Sequence, residues 1–315
     1  MNGVINVNKP EGWTSQDVCA KLRSRLHIKK IGHTGTLDPM ATGVLPVCIG
    51  KATRIIEYYD ADRKSYRATM KLGMTSDTLD ITGEILETFD CTNVSEKAVR
   101  EAFKAYMGTI EQLPPKYSAL KVNGKRAYEL AREGKEFELA ARKIEIFDNE
   151  IVAYSLNDGK ETYKHPSINA DVEADNIVFD VSCSKGTYIR TMIDDIGRVL
   201  GCGAVMTALE RTASGYFKIA DAIGIEELCA LSDEEIEKRI IPMEETLINL
   251  GRIEINDNRV TAFINGNESY SAGYTIVKES SFKNFYRVYG RNVFIGIGSV
   301  DNDILKPQKV INADI

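Results

Sequence analysis

The stretch NIVFDVSCSKGTYIRTMIDDIGRVLG, residues 176–201, predicts a strand that leads directly into a helix. Apolar side chains recur at every second position up to Cys183, which is the pattern of a strand with one buried face. Lys185-Gly186 ends that pattern, and apolar residues then follow at helical spacing. We expect the inward helical face to consist of Ile189, Met192, Ile193, Ile196, Val199 and Leu200.

The same two patterns recur along the chain at irregular intervals. Residues 3–8 and 66–73 alternate like strands, and residues 95–107 carry a helical stripe. Thr14 and Asp17 are spaced as the capping box of a further helix. Because a regular βαβ rhythm is missing, the pattern favours an α+β fold with a mixed sheet.

The C-terminal part of the chain differs from the rest. After Leu250 the residues form short β-rich pieces separated by turn residues, as in a small β-barrel-like domain. A chain of 315 residues is long enough for a main domain with a smaller one appended. We therefore predict one domain over residues 1–245 and a second over residues 246–315.

Composition indicates an ordinary soluble protein, with 43% hydrophobic and 27% charged residues. The first residues lack a signal-peptide pattern, and no apolar run approaches the ~20 residues of a membrane helix. We expect a cytoplasmic protein without a membrane segment. The six cysteines form no CxxC pair and only three histidines are present, so neither a metal site nor a disulfide framework is predicted.

The charge is unevenly distributed. Although the formal net charge is −6, residues 1–67 carry eleven Lys/Arg against six Asp/Glu, and residues 116–126 carry four bases and no acid. A basic face on an acidic protein can hold a phosphate backbone. The alternative of scattered, solvated charge stays open.

GHTGTLDPMATGVLP, residues 32–46, has three glycines and two prolines, which predict a loop of fixed shape rather than a helix or strand. Such a loop would present Asp38 to a ligand, and His33 is near enough in sequence to share that ligand. The alternative for an isolated Asp-Pro is that the aspartate closes its own turn.

Arg190 and Tyr66 are two further candidates. Arg190 could form an i,i+4 ion pair with Asp194, or it could lie at a strand end beside an acid and keep that acid ionised. Tyr66 could be a core residue or a platform on which a base stacks.

Several long motifs occur together and in a fixed order. These strings resemble the tRNA pseudouridine-55 synthases, the TruB family, over nearly the whole chain. The strings are GVINVNKPEGWTS, GHTGTLDPMATGVLP, KSYRATMKLG with TSDTLDITGE, CSKGTYIRTMIDDIG with LGCGA, and FIGIGSVDNDILKP in a PUA-like piece.

The resemblance implies an isomerase that converts uridine 55 in the T-loop of tRNA to pseudouridine after flipping it out of its stack. It assigns catalysis to Asp38 as nucleophile, to Tyr66 as the ring that stacks on the uracil, and to Arg190 as the partner of the aspartate. It assigns substrate binding to His33, which enters the T-loop, to the pocket residues Tyr188 and Leu209, and to the polar residue Asp80. The Lys9-Pro10 motif would support the active-site loop.

The implied reaction needs no redox step, so we predict no cofactor and no metal. The predicted partner is tRNA, bound through its T-arm, and nothing demands more than a monomer. Three alternatives stay open: an RNA-binding or tRNA-folding protein without chemistry, a pseudouridine synthase for ribosomal or another RNA, and a hydrolase that uses Asp38 on phosphate esters. The last lacks the metal-ligand cluster that such chemistry usually needs.

Overall fold

The structure is a computed structural model that describes residues 1–61 and 63–312. The α-helices are α1 Ser15–Leu26, α2 Glu96–Ala105, α3 Ala127–Arg132, α4 Ile189–Leu200, α5 Ile225–Ala230, α6 Asp233–Arg239, α7 Met243–Thr246 and α8 Asp257–Ile264. Short 3₁₀ helices cover Gly50–Ala61, Ile219–Asp221 and Ser271–Gly273.

The strands vary from two to fifteen residues in length. They are β1 Gly3–Lys9, β2 Ile31–His33, β3 Thr42–Ile49, β4 Lys64–Leu72, β5 Met74–Ser76, β6 Ile85–Thr88, β7 Gly108–Gln112, β8 Lys121–Val122, β9 Lys125–Arg126, β10 Arg142–Leu156, β11 Glu161–Lys164, β12 Asn176–Cys183, β13 Ala204–Ser214, β14 Phe217–Lys218, β15 Ile223–Gly224, β16 Gly251–Ile255, β17 Ser269–Tyr270, β18 Tyr274–Lys278, β19 Phe285–Gly290, β20 Val293–Asp301 and β21 Ile304–Val310.

The chain forms two compact units, Met1–Asp62 with Ala213–Ile315, and Arg63–Thr212. In the first unit β1 pairs with β3 antiparallel and with β15 parallel, while β2 pairs antiparallel with the last residues of β3. A second sheet in this unit has the order β17-β21-β20-β19-β16-β18. It accounts for the β-rich C-terminal pieces predicted from the sequence.

The second unit is built on the antiparallel strands β11-β10-β12-β4, with β13 beside β4 and β7 paired to β10. Ala68, Met70 and Leu72 of β4 are buried on one face, as their alternation predicted. Helix α2 packs on this sheet, where Phe103 meets Phe179 of β12 edge to face with ring centroids 5.0 Å apart. The alternation in β4 and the helical stripe around Phe103 therefore correctly predicted which side chains face inward.

The predicted α+β class, with a mixed sheet and a small β-rich C-terminal domain, is confirmed. Pairing is parallel between β1 and β15 and between β16 and β19, and antiparallel in the other pairs described here. Helix α8 lies within the region predicted to be β-rich. It forms there because Val260 and Phe263 give it one short apolar face that is buried. The boundary between residues 245 and 246 stays a prediction.

Two details of the sequence prediction are wrong. Val199 is 65% exposed, because the last turn of α4 lies at the surface together with Arg198. The stretch of residues 32–46 is only partly irregular, since β2 ends at His33 and β3 begins at Thr42. Pro46 lies within β3 opposite Asn6, and its carbonyl accepts from the Thr34 N–H at 3.1 Å.

The capping box at Thr14 is confirmed, since its hydroxyl accepts from the Asp17 N–H at 3.1 Å and the Asp17 carboxylate accepts from the Thr14 N–H at 2.8 Å. All six cysteines carry free thiols. Burial raises the pKa of Cys19 and of Cys183 to about 11, so these thiols stay protonated at neutral pH. Within residues 1–61 and 63–312, no helix has the length and apolar character to cross a membrane.

Candidate active site

Asp38 lies half-buried in the irregular segment between β2 and β3. The backbone on both sides of it is fixed by hydrogen bonds. The Leu37 N–H donates to Ser15 Oγ at 2.8 Å, and the Ser15 hydroxyl donates back to the Leu37 carbonyl at 3.2 Å. The Ala41 N–H donates to the Asp38 carbonyl at 3.1 Å. The acid is therefore presented from a rigid turn of the chain.

Lys9 also supports the turn that carries Asp38. Its side chain is fully buried, and its ammonium donates to the carbonyls of Pro10, Trp13 and Pro39 at 2.8, 2.6 and 3.1 Å. A buried ammonium is tolerated only where acceptors surround it, and here backbone carbonyls take that role. Since Pro39 directly follows Asp38, Lys9 ties the end of β1 to the turn, in agreement with its predicted supporting role.

His33 is the last residue of β2 and pairs with Val47 of β3. Its Nε2 lies 3.1 Å from Nε2 of Gln16 on α1. This contact orients the imidazole ring, because a hydrogen bond forms only when the ring nitrogen faces the amide and the two groups take complementary donor and acceptor states. His33 and Asp38 lie in the same compact unit.

Arg190 lies in the first turn of α4, and its residue surface is 6% exposed. The guanidinium Nη1 donates to the Thr78 carbonyl at 2.9 Å and lies 3.3 Å from Asp80 Oδ2, while Nη2 donates to the Tyr117 carbonyl at 3.0 Å. The alternative of an ion pair with Asp194 is wrong, since Asp194 pairs with Arg198 at 2.9 Å.

Asp80 is buried, and its own loop closes around its carboxylate. Oδ1 accepts from the Thr78 hydroxyl at 2.9 Å, from the Thr82 N–H at 3.0 Å and from the Thr82 hydroxyl at 2.6 Å. Oδ2 faces Arg190. This arrangement suits a residue that holds the guanidinium in place, and the predicted contact between Asp80 and substrate stays a prediction.

The other predicted site residues lie in the second unit with Arg190 and Asp80. Tyr66 is half-buried on β4 opposite Val181, Tyr188 precedes α4 as its N-cap, and Leu209 is buried on β13. Asp38 and His33 belong to the first unit. The predicted pairing of Asp38 with Arg190 therefore stays a prediction.

The sequence prediction missed the groups that hold these residues: Ser15, Thr78, Gln112 and Tyr117. Thr78 and Tyr117 act through backbone carbonyls, which no side-chain pattern reveals. Gln112 is a polar residue that is 3% exposed at the end of a strand, and its amide bonds to the backbone of Tyr188. Only the burial of this amide could have indicated Gln112, and burial is a property of the fold rather than of the sequence.

A cleft of about 1550 Å³ opens in the second unit beside α4, between residues 75–89 and residues 113–138. Six carboxylates and three cations line it, which makes it unsuited to a phosphate backbone. Burial, followed by the neighbouring Asp194 carboxylate, raises the pKa of Asp195 there. Among residues 1–61 and 63–312, no group of three or more His, Cys, Asp or Glu side chains could hold a metal ion.

The basic helix α1 is less available to RNA than its sequence suggests. Arg25 pairs with Asp233 at 2.6 Å and donates to the Cys229 carbonyl at 2.9 Å, and Lys21 lies 3.8 Å from Glu226. The acidic segment of residues 225–239 thus neutralises much of this helix. Lys29 and Lys30, just beyond the end of α1, are exposed.

Two family models match the chain. The model described as TruB family pseudouridylate synthase (N terminal domain) covers residues 23–189. The model described as tRNA pseudouridylate synthase B C-terminal domain covers residues 190–248. The two family models together cover parts of both compact units, since the first includes Asp38 and the second begins at Arg190.

Curated relatives are similar over their full length. The chain is 44% identical to tRNA pseudouridine synthase B of Clostridium perfringens (strain 13 / Type A), with 99% of each chain covered. It is 43% identical to tRNA pseudouridine synthase B of Alkaliphilus oremlandii, with 96% of this chain and 94% of the relative covered. A crystal structure of a Cbf5-Nop10-Gar1 complex contains a similar chain, with a TM-score of 0.73 at 27% identity over 98% of this chain and 85% of that one.

Proposed function

The chain belongs to the TruB family of pseudouridylate synthases, and we propose that it is an isomerase that converts uridine 55 in the T-loop of tRNA to pseudouridine. Identity of 44% to a tRNA pseudouridine synthase B over 99% of both chains is the observation that carries this proposal. The rigid mounting of Asp38 supports it, because a nucleophile is effective when its position is fixed before the substrate arrives.

The reaction breaks the bond between uracil N1 and ribose C1′ and forms a bond between C1′ and C5. The hydrogen at C5 leaves as a proton and N1 gains one, so substrate and product have the same composition and no oxidant is required. Asp38 acts as the nucleophile, at C1′ of the sugar or at C6 of the base. Its neighbours Leu37 and Pro39, which are held by Ser15 and Lys9, keep the carboxylate in position.

Uridine must leave its stack to reach the acid, at a cost of a few kcal/mol. In the proposal, stacking of the base on Tyr66 returns about 1–3 kcal/mol, and His33 enters the space that the nucleotide vacates. Tyr188 and Leu209 line the pocket for the base. Arg190 supplies a fixed positive charge, and Asp80 holds that charge through its ion pair at 3.3 Å.

The proposed partner is a tRNA bound through its T-arm by a monomeric, cytoplasmic protein. The name of the curated relatives supports tRNA as the substrate. The partner proteins in the complex of the structural relative are not proposed as partners of this chain. Light scattering of the protein with and without one equivalent of tRNA would test whether the protein is a monomer. A 2:1 complex at micromolar concentration would contradict it.

The test of function uses a tRNA transcript tritiated at uridine C5. Wild type should release tritium and modify the T-loop uridine, whereas Asp38→Asn should bind the tRNA and release none. Asp90→Asn is a matched control, since Asp90 is an exposed acid whose carboxylate accepts from Thr92 of its own turn, and it should release tritium like wild type.

Other outcomes would change the proposal. Tritium release from a ribosomal RNA fragment but not from tRNA would keep the chemistry and reject the substrate. Binding of tRNA by wild type without any release would reject the enzyme and favour a protein that binds or folds tRNA.

A further inference from the structure

Gln112 ends β7 and contacts the residue that precedes α4. Its side-chain Oε1 accepts from the Tyr188 N–H at 2.8 Å, and its Nε2 donates to the Tyr188 carbonyl at 3.0 Å. One amide thus occupies both polar groups of one backbone residue. Since Gln112 is 3% exposed, both bonds are shielded from water, which makes their loss costly.

The start of α4 depends on this contact. Tyr188 is the N-cap residue, and its side chain makes no capping hydrogen bond. Its carbonyl accepts from the Met192 N–H at 3.1 Å, the first bond of the helix, as well as from Gln112. Helices usually begin with a capping side chain on the N-cap residue, whereas here a residue of a neighbouring strand fixes the backbone of the N-cap residue.

The segment that begins at Gln112 also reaches Arg190 itself. Pro114-Pro115 fixes the backbone after β7, and the Tyr117 carbonyl then accepts from Arg190 Nη2 at 3.0 Å. Residues 112–117 therefore hold the backbone two residues before Arg190 as well as its guanidinium. Both contacts lie within the second compact unit.

We propose that Gln112 is a positioning residue for Arg190, because its paired hydrogen bonds fix the start of α4 and hence the place where the guanidinium is presented. This inference rests on the proposed function, in which Arg190 serves the reaction. A misplacement of about 1 Å is enough to slow an enzyme roughly a hundredfold. Gln112 should accordingly affect the rate of isomerisation and leave the affinity for tRNA unchanged.

The test compares full-length wild type with Gln112→Met, which keeps the side-chain length and removes both bonds. Single-turnover pseudouridine formation and tRNA affinity are measured separately. We expect the rate constant to fall about ten- to hundredfold at unchanged affinity. Asn149→Leu is the matched control, because the Asn149 amide donates to the Phe103 and Tyr106 carbonyls at the end of α2 and not to the residue that precedes α4. It should keep the wild-type rate constant.

A double-variant cycle separates positioning from general damage. If Gln112 acts through Arg190, Gln112→Met should slow an Arg190→Lys protein no further. Multiplied losses, or a wild-type rate constant in Gln112→Met, would overturn the inference. Should Gln112→Met fail to fold, Gln112→Asn keeps the amide but withdraws it from Tyr188 by one methylene, and a wild-type rate constant there would also overturn the inference. Wild type that forms no pseudouridine would instead refute the proposed function.

Discussion

Asp80 and Arg190 form a buried ion pair, and water cannot take the place of either partner when that partner is removed. In Asp80→Asn the Thr82 bonds can persist, but the guanidinium 3.3 Å away loses the negative charge of Asp80. We expect single-turnover pseudouridine formation to slow at least about tenfold, and the free energy of unfolding to fall by about 1–3 kcal/mol. Kinetics and urea unfolding measure the two effects.

The half-exposed pair of Arg67 with Asp180, at 2.7 Å in the same unit, is the control for Asp80. Asp180→Asn should cost less than about 1 kcal/mol, because water reaches both side chains and screens their charges. It should leave the rate constant unchanged. Equal losses in the two variants would show that the burial of the Asp80 pair is unimportant.

Lys9 permits a prediction on the other side of the site. Lys9→Met removes an ammonium that serves three carbonyls in a fully buried place. We expect a loss of about 2–3 kcal/mol in the free energy of unfolding, together with slower catalysis, because the Pro39 carbonyl beside Asp38 loses a donor. Lys29→Met, at an exposed position, should change neither quantity. A stable but slow Lys9→Met protein would limit its role to the loop.

The site shows which residues a sequence can reveal. Asp38, Asp80 and Arg190 stand in long motifs, so the family resemblance could name them as candidates directly. Ser15 and Gln112 act through hydrogen bonds to residues 22 and 76 positions away in the chain, and no local pattern encodes such a bond. Their function became visible only when the fold had brought the partners together.

At the scale of elements, α4 carries a titration that should affect stability. Burial and the Asp194 carboxylate raise the pKa of Asp195 in the folded chain. The stabilisation that follows is complete below the unfolded pKa, near 3.9, and is lost as pH rises through the folded pKa. Asp195→Asn cannot titrate, so it should be more stable than wild type at neutral pH, with the advantage shrinking toward about pH 4.

Urea unfolding over a pH series measures this difference. Asp90 is the control of opposite sign, because hydrogen bonds from Thr92 lower its pKa. The stability that Asp90 contributes is present above its unfolded pKa and is lost as pH falls through the folded pKa. Asp90→Asn should therefore be less stable than wild type at neutral pH. An Asp195→Asn difference that is independent of pH would contradict the titration.

Most elements followed from their period, and the exceptions have local causes. Strands β4 and β12 and helix α4 alternate or repeat clearly, since each buries one face. Helix α8 was missed because eight residues with two buried side chains give too short a repeat to detect. Pro46 misled the prediction because the residues on both sides of this proline still pair with β1.

At the scale of the molecule, the first compact unit joins the two ends of the chain in one core. Val4, Val44 and Ile55 share a hydrophobic cluster with Phe294 and Ile297 of β20. Two further contacts reinforce it, since Lys309 lies 2.9 Å from Glu57 and the rings of Tyr58 and Phe285 meet edge to face at 5.2 Å. The C-terminal sheet also has a core of its own, which includes Ile253 and Ile295. The sheet is a distinct domain in architecture, yet its stability should depend on the N-terminal strands.

Two neighbouring isoleucines of β20 allow that dependence to be measured. Ile295 and Ile297 are both fully buried, but Ile295 belongs to the core of the C-terminal sheet and Ile297 to the shared cluster. Each change to alanine should cost about 2–5 kcal/mol. Hydrogen exchange should show Ile297→Ala weakening amide protection in β1 and β3, whereas Ile295→Ala should weaken protection mainly within β16 to β21. If neither variant alters β1 and β3, the sheet is energetically independent and residues 246–315 should fold as a separate piece. If Ile297→Ala alone does so, the two ends of the chain fold as one unit, and a truncation after Leu250 should expose the apolar faces of β1 and β3 and aggregate.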